Sequence, residues 1–467
     1  MNHRAMAAAV FALVLSLAPA LKPGVGSRAQ AAKPDGPAVA FVNVSVVPMD
    51  SNRVLERQTV IVRGQRVAEL GPAFRVEVPE GARRIEGRGR YLMPGLAEMH
   101  AHLPGQQAGE DAARYVFLLY LANGVTTVRG MLGQPWHLDL RRRVASGELL
   151  GPRIYAAGPA FSGNTVTSVE QAERLVAEQK QAGYDHLKVH SGLAREVYDA
   201  IAAKASQLGI PFAGHVSVHV GLQRALEAGQ ASIEHLDSYL QALEADDSPI
   251  RNADAQTRQQ QLVRYLDERK IRTVAEATRK ARVWNAPTLF LWQTFLSAET
   301  PEQLAQRFEV RYALPQWRSA WERQRQSMLR NLAPEEDRRR IVQVRNQLVR
   351  ALRDTGAKLL LASDSPQLYN VPGFSLHREM AAMVAAGLSP YQVLEAGTRN
   401  PAEFLKSADF GTIAVGKEAD LILLEADPLR DVGNVASRAG VMVRGRWFTQ
   451  SELNQQVETL LRKLSGD

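Results

Sequence analysis

Two histidines separated by one residue, His100 and His102 in the run PGLAEMHAH, close an apolar stretch with strand character. Residues two apart on a strand point to the same side, so both imidazoles can reach one cation. Four more polar residues each follow a short apolar run: Lys188 in YDHLKVH, His215 in PFAGHVSV, His235 in SIEHLD and Asp364 in LLLASDSP. Taken singly, each reads as a satisfied polar residue at a strand end. Taken together, imidazole and carboxylate groups of this kind suit a divalent transition metal. The chain contains no cysteine, which excludes thiolate ligation, a cysteine nucleophile and disulfides. Lys188 matters in this company because a buried amine sheds its proton readily and then reacts in the neutral form.

Other residues near these runs divide between chemistry and packing. His190 lies two positions after Lys188 and shares its strand face, where it can touch substrate or support a ligand. Tyr239, just beyond His235, can reach substrate or pack. His377 follows SDSPQLYNVPGFSL at the start of an expected helix and can either line the site or cap that helix. His219 sits in the loop beyond His215, as a site or surface residue, and Trp292 can line a pocket or fill the core. His137 and His186 read as structural; His186 shares the face of Lys188 but lies one layer deeper.

The elements that must position the six groups follow from the apolar runs. From about Leu96 to Leu405, short apolar segments alternate with helix-like stretches, the pattern of a parallel sheet with crossover helices. Eight strand candidates occur, near Leu96–Met99, Val125–Val128, Ile154–Ala156, His186–Val189, Phe212–Ala213, Ala231–Ile233, Ala286–Phe290 and Lys358–Ala362. The six groups end the first, fourth, fifth, sixth and eighth of them. Eight such units predict an α/β fold, a (β/α)8 TIM-like barrel over residues 95–405, in which active-site groups gather at the C-terminal strand ends. The stretch 296–353 is too long for one crossover. Its Trp317, Trp321, Leu329 and Leu332 predict added helices, either a lid over the mouth or packing outside it. Alternating β-rich segments at 38–94 and again at 406–450 predict one small β-sandwich domain built from both chain ends, followed by a C-terminal helix over 451–467.

The composition is that of a globular protein, with 467 residues, 45% hydrophobic and 23% charged, enough for a large catalytic unit and a small accessory domain. Arg4, the apolar run Ala7–Leu21 and the small-x-small site Ala29-Gln30-Ala31 read as a signal peptide over 1–31, which places the mature protein in the periplasm or outside the cell. Ala18-Pro19-Ala20 offers a second cut. The run is shorter than the roughly 20 residues of a membrane span, so no stable insertion is expected after cleavage. The formal charge of +8 includes Arg4, Lys22 and Arg28 of that leader. Elsewhere the arginines, including Arg338-Arg339-Arg340, alternate with Glu and Gln at helical spacing, which reads as a solvated helix face and not a nucleic-acid surface. The expected partner is a small molecule, and a homo-oligomer is compatible with this composition.

The runs YLMPGLAEMHAH, AGHVSVHVGLQRALEAGQASIEHLD, ASDSP with VPGFSLHREM, and TRNPAEFL with GTIAVGKEADLILLEADP resemble, in order and spacing, the amidohydrolase superfamily, particularly its imidazolonepropionase-like and prolidase-like branch. The resemblance covers almost the whole chain after the leader. It implies two metal ions, usually zinc, with His100, His102 and Asp364 on one, His215 and His235 on the other, and a carboxylated Lys188 bridging them. It further implies an activated water as nucleophile, with Asp364 taking its proton and delivering it to the leaving nitrogen. The substrates implied are dipeptides or N-acyl amino acids. A cyclic amide, a lactone or an ester remains an alternative on the same site, as does a binding protein that has kept the barrel without turnover.

Overall fold

The computed structural model describes residues 38–466, so the signal peptide expected over 1–31 lies outside the described residues. Among those described, no helix is long and apolar enough to cross a membrane.

Both ends of this region contribute to one mixed sheet. Strands β1 (Val39–Val46), β2 (Leu55–Arg63), β3 (Arg66–Pro72), β4 (Arg83–Glu86) and β5 (Tyr91–Pro94) come first in the chain; their sheet partners β13 (Leu421–Leu424), β14 (Arg438–Val443) and β15 (Arg446–Thr449) come last. The order is β15-β14-β13-β5-β1-β2-β3, with β4 also paired to β1. The seam between the ends is the antiparallel pair β5–β13, running from Leu421 opposite Pro94 to Leu424 opposite Tyr91. The run LILL is apolar at every position because both faces of β13 are covered. Leu421 and Leu423 pack with Phe41, Val44, Leu92, Met442 and Trp447 in a core of the sheet's own. Ile422 and Leu424 point the other way into the main core, as the two-residue period of a strand requires.

The segment between the ends is α/β. Strands β6 (Leu96–Ala101), β7 (Val125–Gly130) and β8 (Arg153–Ala156) form one parallel sheet; β9 (Leu187–Val189), β10 (Phe212–Gly214), β11 (Ser232–Glu234) and β12 (Trp284–Ala286) form another. A parallel bridge from Ala157 to His186 links β8 to β9. The expected eighth strand near Lys358–Ala362 is an extended segment joined by backbone hydrogen bonds to β12 on one side and to β6 and the residues after it on the other. It bridges Asn285 through Leu359 and Ala101 through Ser365, and the Met99 N–H donates to Leu361 O at 3.0 Å. One expected strand ends early: Leu289 and Phe290, placed in the seventh candidate, open the helix Leu289–Leu296. Thr288 adopts a left-handed φ of 46°, and both carboxylate oxygens of buried Glu379 accept the Leu289 and Phe290 N–H groups, at 2.9 and 2.7 Å. Those donors belong to the first turn of a helix, so a carboxyl group that accepts from both favours helix over strand.

The long stretch after this helix holds Pro301–Ala305, Phe308–Tyr312, Pro315–Arg330 and Glu335–Thr355. The helix Pro315–Arg330 packs on the loop that follows Asp364, with the Trp321 ring 5.5 Å from that of Tyr369. It is held there by Arg325, a fully buried side chain that donates to the carbonyls of Thr294, Phe295, Ser297 and Glu299. The C-terminal helix runs Gln450–Ser465.

Phe41 of β1 meets Trp447 of β15 edge to face at 5.3 Å, so it reports directly on whether the two ends share a core. Phe41→Ala should lower stability by about 3–5 kcal/mol in urea denaturation. A loss under about 0.5 kcal/mol, the level of an ordinary surface change, would show that they do not.

Candidate metal centre

His100 lies within β6 and His102 directly after it, and their rings stack at 5.5 Å with 24° between planes. The row of imidazoles continues: His100 to His235 at 4.9 Å, His235 to His215 at 4.8 Å and His215 to His190 at 4.3 Å. Asp364 faces this row, with Oδ1 3.0 Å from His102 Nε2 and 3.4 Å from His100 Nε2, and Oδ2 3.6 Å from His235 Nε2. Lys188, fully buried on β9, brings Nζ to 3.3 Å from His100 Nε2. All six groups singled out by spacing therefore reach one neighbourhood.

Each of three imidazoles is held by its other nitrogen. His100 Nδ1 is 2.9 Å from Glu234, His215 Nδ1 is 2.7 Å from Asp237, and His235 Nδ1 is 2.8 Å from the Thr288 hydroxyl. An imidazole tied at Nδ1 presents Nε2 in a fixed direction, the arrangement that orients histidine for a metal. Glu234 is anchored in turn by Arg129 at 2.8 Å and Ser232 at 2.5 Å, and Arg129 also donates to Met99 O at 2.6 Å. Beneath the site Glu98 joins the first strand to the eighth segment, accepting the His100 and Ser363 N–H groups at 3.0 and 2.9 Å.

The backbone is strained where the ligands sit. His235 (φ 60°), Asp364 (φ 59°) and Thr288 (φ 46°) all occupy the left-handed region, where a non-glycine residue costs roughly 1–3 kcal/mol. Arg345, buried, donates to the carbonyls of His235 and Pro287 and so holds two of these turns. Gly214, before His215, has φ 135°, and a Cβ there would stand 2.0 Å from Val189 O. Only glycine lets the chain pass that close to β9.

Burial sets the protonation states. It drives His100 well below the ordinary histidine range, with the nearby Lys188 charge adding to the effect, and it lowers His235 to about 4. Both imidazoles are neutral near pH 7, the form that binds metal. Burial also brings Lys188 down to about 8. For Asp364 burial acts upward, but the His100 and His102 imidazoles outweigh it and hold the carboxyl below its ordinary range.

One ligand atom each from His100, His102 and Asp364 lie within 4.8 Å of one another. Asp364 Oδ1 is buried with no aligned hydrogen-bond donor, an unmet need that a cation at the centre of this group would satisfy. The donor set of two imidazole nitrogens and a carboxylate oxygen suits a divalent transition metal, and His215 and His235 stand beside it.

His190, half-buried and lowered to about 4 by burial and by His215, ends the imidazole row as a candidate substrate contact. Two expected substrate contacts are corrected. Tyr239 is fully buried and its hydroxyl meets Thr278 at 2.8 Å, so it is a core residue. His377 points to β14, with Nε2 3.3 Å from the Arg438 guanidinium, because its helix turns that face to the two-ended sheet. His137 and His186 are buried, bound to Pro104 O and Met131 Sδ, His219 is exposed, and the Trp292 ring stacks 4.2 Å from the Arg345 guanidinium. Glu98, Arg129, Glu234, Asp237 and Thr288 were not singled out by the sequence. The carboxylates of AEMHAH and SIEHLD lie within two residues of a ligand and could have been found from that spacing; Arg129 and Thr288 carry no such signal.

The pattern of the amidohydrolase family matches residues 91–448. The chain belongs to the amidohydrolase family. This amidohydrolase is 26% identical over 375 residues to the adenine deaminase of Deinococcus radiodurans, an alignment that covers 78% of this chain and 55% of that protein. It is 28% identical over 136 residues to the imidazolonepropionase of Micrococcus luteus, covering 28% of this chain and 33% of the relative. The chain thus spans little more than half of the first relative's length. Among solved structures it resembles a putative prolidase from Bifidobacterium longum, with a TM-score of 0.66 and 23% identity over 91% of this chain and 99% of that one, which shows a shared fold.

Replacing Glu234 by Gln keeps the shape but removes the charge that holds His100 Nδ1. Glu234→Gln should weaken divalent-metal binding about 10–100-fold in competition with a chromogenic chelator. Unchanged affinity would mean that Glu234 serves only the core.

Proposed function

We propose that this chain is a metal-dependent hydrolase of an amide or peptide bond in a small substrate, dipeptides and N-acyl amino acids being the first class to test. The observation that carries the reading is the convergence of His100, His102, His215, His235, Lys188 and Asp364 with the Nδ1 atoms of His100, His215 and His235 occupied elsewhere. In this reading β6 to β12 and the segment 358–365 close a (β/α)8 barrel, and the leader at 1–31 sends the enzyme to the periplasm or out of the cell.

His100, His102 and Asp364 would hold one zinc ion and His215 and His235 a second. A zinc ion there would supply a nucleophilic water at neutral pH and Lewis acidity toward the substrate carbonyl. Lys188, lowered by burial to about 8, has enough neutral amine near pH 7 to take up carbon dioxide, forming an N–C bond and releasing one proton, and the resulting carbamate would help hold the zinc. Asp364, ionised near pH 7, would accept a proton from the nucleophilic water and return it to the leaving nitrogen. His190, neutral and at the open end of the row, orients the substrate.

A second reading is a cyclic substrate. The D. radiodurans relative is named an adenine deaminase and the M. luteus relative an imidazolonepropionase, and the same groups could attack a ring carbon. A panel of dipeptides and N-acyl amino acids set beside adenine and cyclic amides separates the two. Turnover of a linear amide is expected, falling a hundredfold or more in Asp364→Asn, as loss of a general acid–base group requires. Turnover confined to the cyclic compounds would move the assignment to the second reading, and none on any compound by the zinc-loaded protein would contradict hydrolysis altogether.

A further inference from the structure

A cavity of about 350 Å³ lies apart from the imidazole row, and none of the six proposed metal-site residues lines it. Its walls come from the end of the helix Gly109–Ala122, the turn Phe308–Tyr312, the start of the helix Phe374–Ala385, β14 and the C-terminal helix. The charged residues in its lining are Arg311 and Arg438, and no aspartate or glutamate lines it.

The partners of the Arg438 guanidinium are all neutral: Val435 O, Ala122 O at 2.8 Å, the Gln450 side-chain oxygen at 3.4 Å and a nitrogen of His377 at 3.3 Å. Burial without a counter-charge brings its pKa down to about 10. Arg311 donates to the Tyr312 hydroxyl at 2.6 Å and lies over the Phe308 ring at 4.1 Å. Among the described residues neither arginine forms an ion pair. The same wall carries aromatic surface: Tyr312 stacks on Phe374 at 5.0 Å, and Phe308, 59% exposed, stands edge-on to both rings.

Arg438 is partly buried and neutral acceptors take four of its five N–H groups, so its charge has no counter-ion, and a carboxylate supplies that charge while accepting the remaining N–H. The volume is that of a small-ligand site, and the aromatic wall asks for an apolar body beside the charge. We propose that this cavity is a second binding site, for a small aromatic or branched aliphatic carboxylate. Arg311 and Arg438 share its negative charge, and its apolar part lies against Phe308 and Phe374.

The test is calorimetric titration of the full metal-loaded protein with phenylacetate, with its neutral isostere phenylacetamide, and with inorganic phosphate. Saturable binding of one phenylacetate per chain is expected, weaker by tenfold or more for phenylacetamide and in Arg311→Gln, and unchanged in Asp364→Asn. Arg311 is exposed, so that variant should fold, which a thermal melt verifies. Absence of saturable binding, or indifference to Arg311→Gln, would overturn the proposal. So would loss of binding in Asp364→Asn, which would place the ligand at the metal centre, and so would binding of phosphate in place of phenylacetate, which would mark a bare anion site.

Discussion

The buried contact between His100 Nδ1 and Glu234, at 2.9 Å, constrains the centre of this molecule more than any other. It joins the first strand of the α/β region to the sixth, fixes which nitrogen of His100 faces Lys188 and Asp364, and places a carboxylate beneath the imidazole row. A lone carboxylate at zero exposure would be prohibitive, so Glu234 brings Arg129 and Ser232 with it, and Arg129 reaches back to Met99 beside His100. The result is a closed ring of polar contacts within which every charge is matched. Asp237 and Thr288 repeat the device for His215 and His235.

Such order has a cost, visible in the backbone. His235, Asp364 and Thr288 hold left-handed conformations that most residues avoid, and Arg345 and Glu379 secure the turns around them from behind. Groups fixed in advance do not need to reorganise when they bind a cation or a reacting substrate, which is the advantage of a preorganised polar site. The helix Pro315–Arg330, pinned through Arg325, presses on the loop after Asp364 and adds to that rigidity. The long insertion is thereby tied to the site by packing at Trp321 and Tyr369.

The groups that meet at the centre were legible in the sequence because each ends a short apolar run, and runs of that kind place polar residues at strand ends. That both chain ends build β-structure together was legible because LILL and VMV are short uninterrupted apolar runs, as in strands covered on both faces, although the strands join in one mixed sheet where a sandwich was expected. The seventh strand was misplaced at Leu289 and Phe290 because the residue that turns them into helix, Glu379, lies far along the chain. Tyr239 and His377 misled because nearness in sequence to His235 and Asp364 does not say which way a side chain turns once a helix has begun. The supporting residues Arg129 and Thr288 were invisible because their contacts are formed only by the folded chain.

The central claim is that these imidazoles, Lys188 and Asp364 form one metal-binding unit. Metal content measured by plasma mass spectrometry on the purified protein, beside a Lys188→Ala variant, tests it most directly. About two zinc ions per chain, falling in the variant, is the result this account predicts. A protein that binds no metal after reconstitution would contradict it.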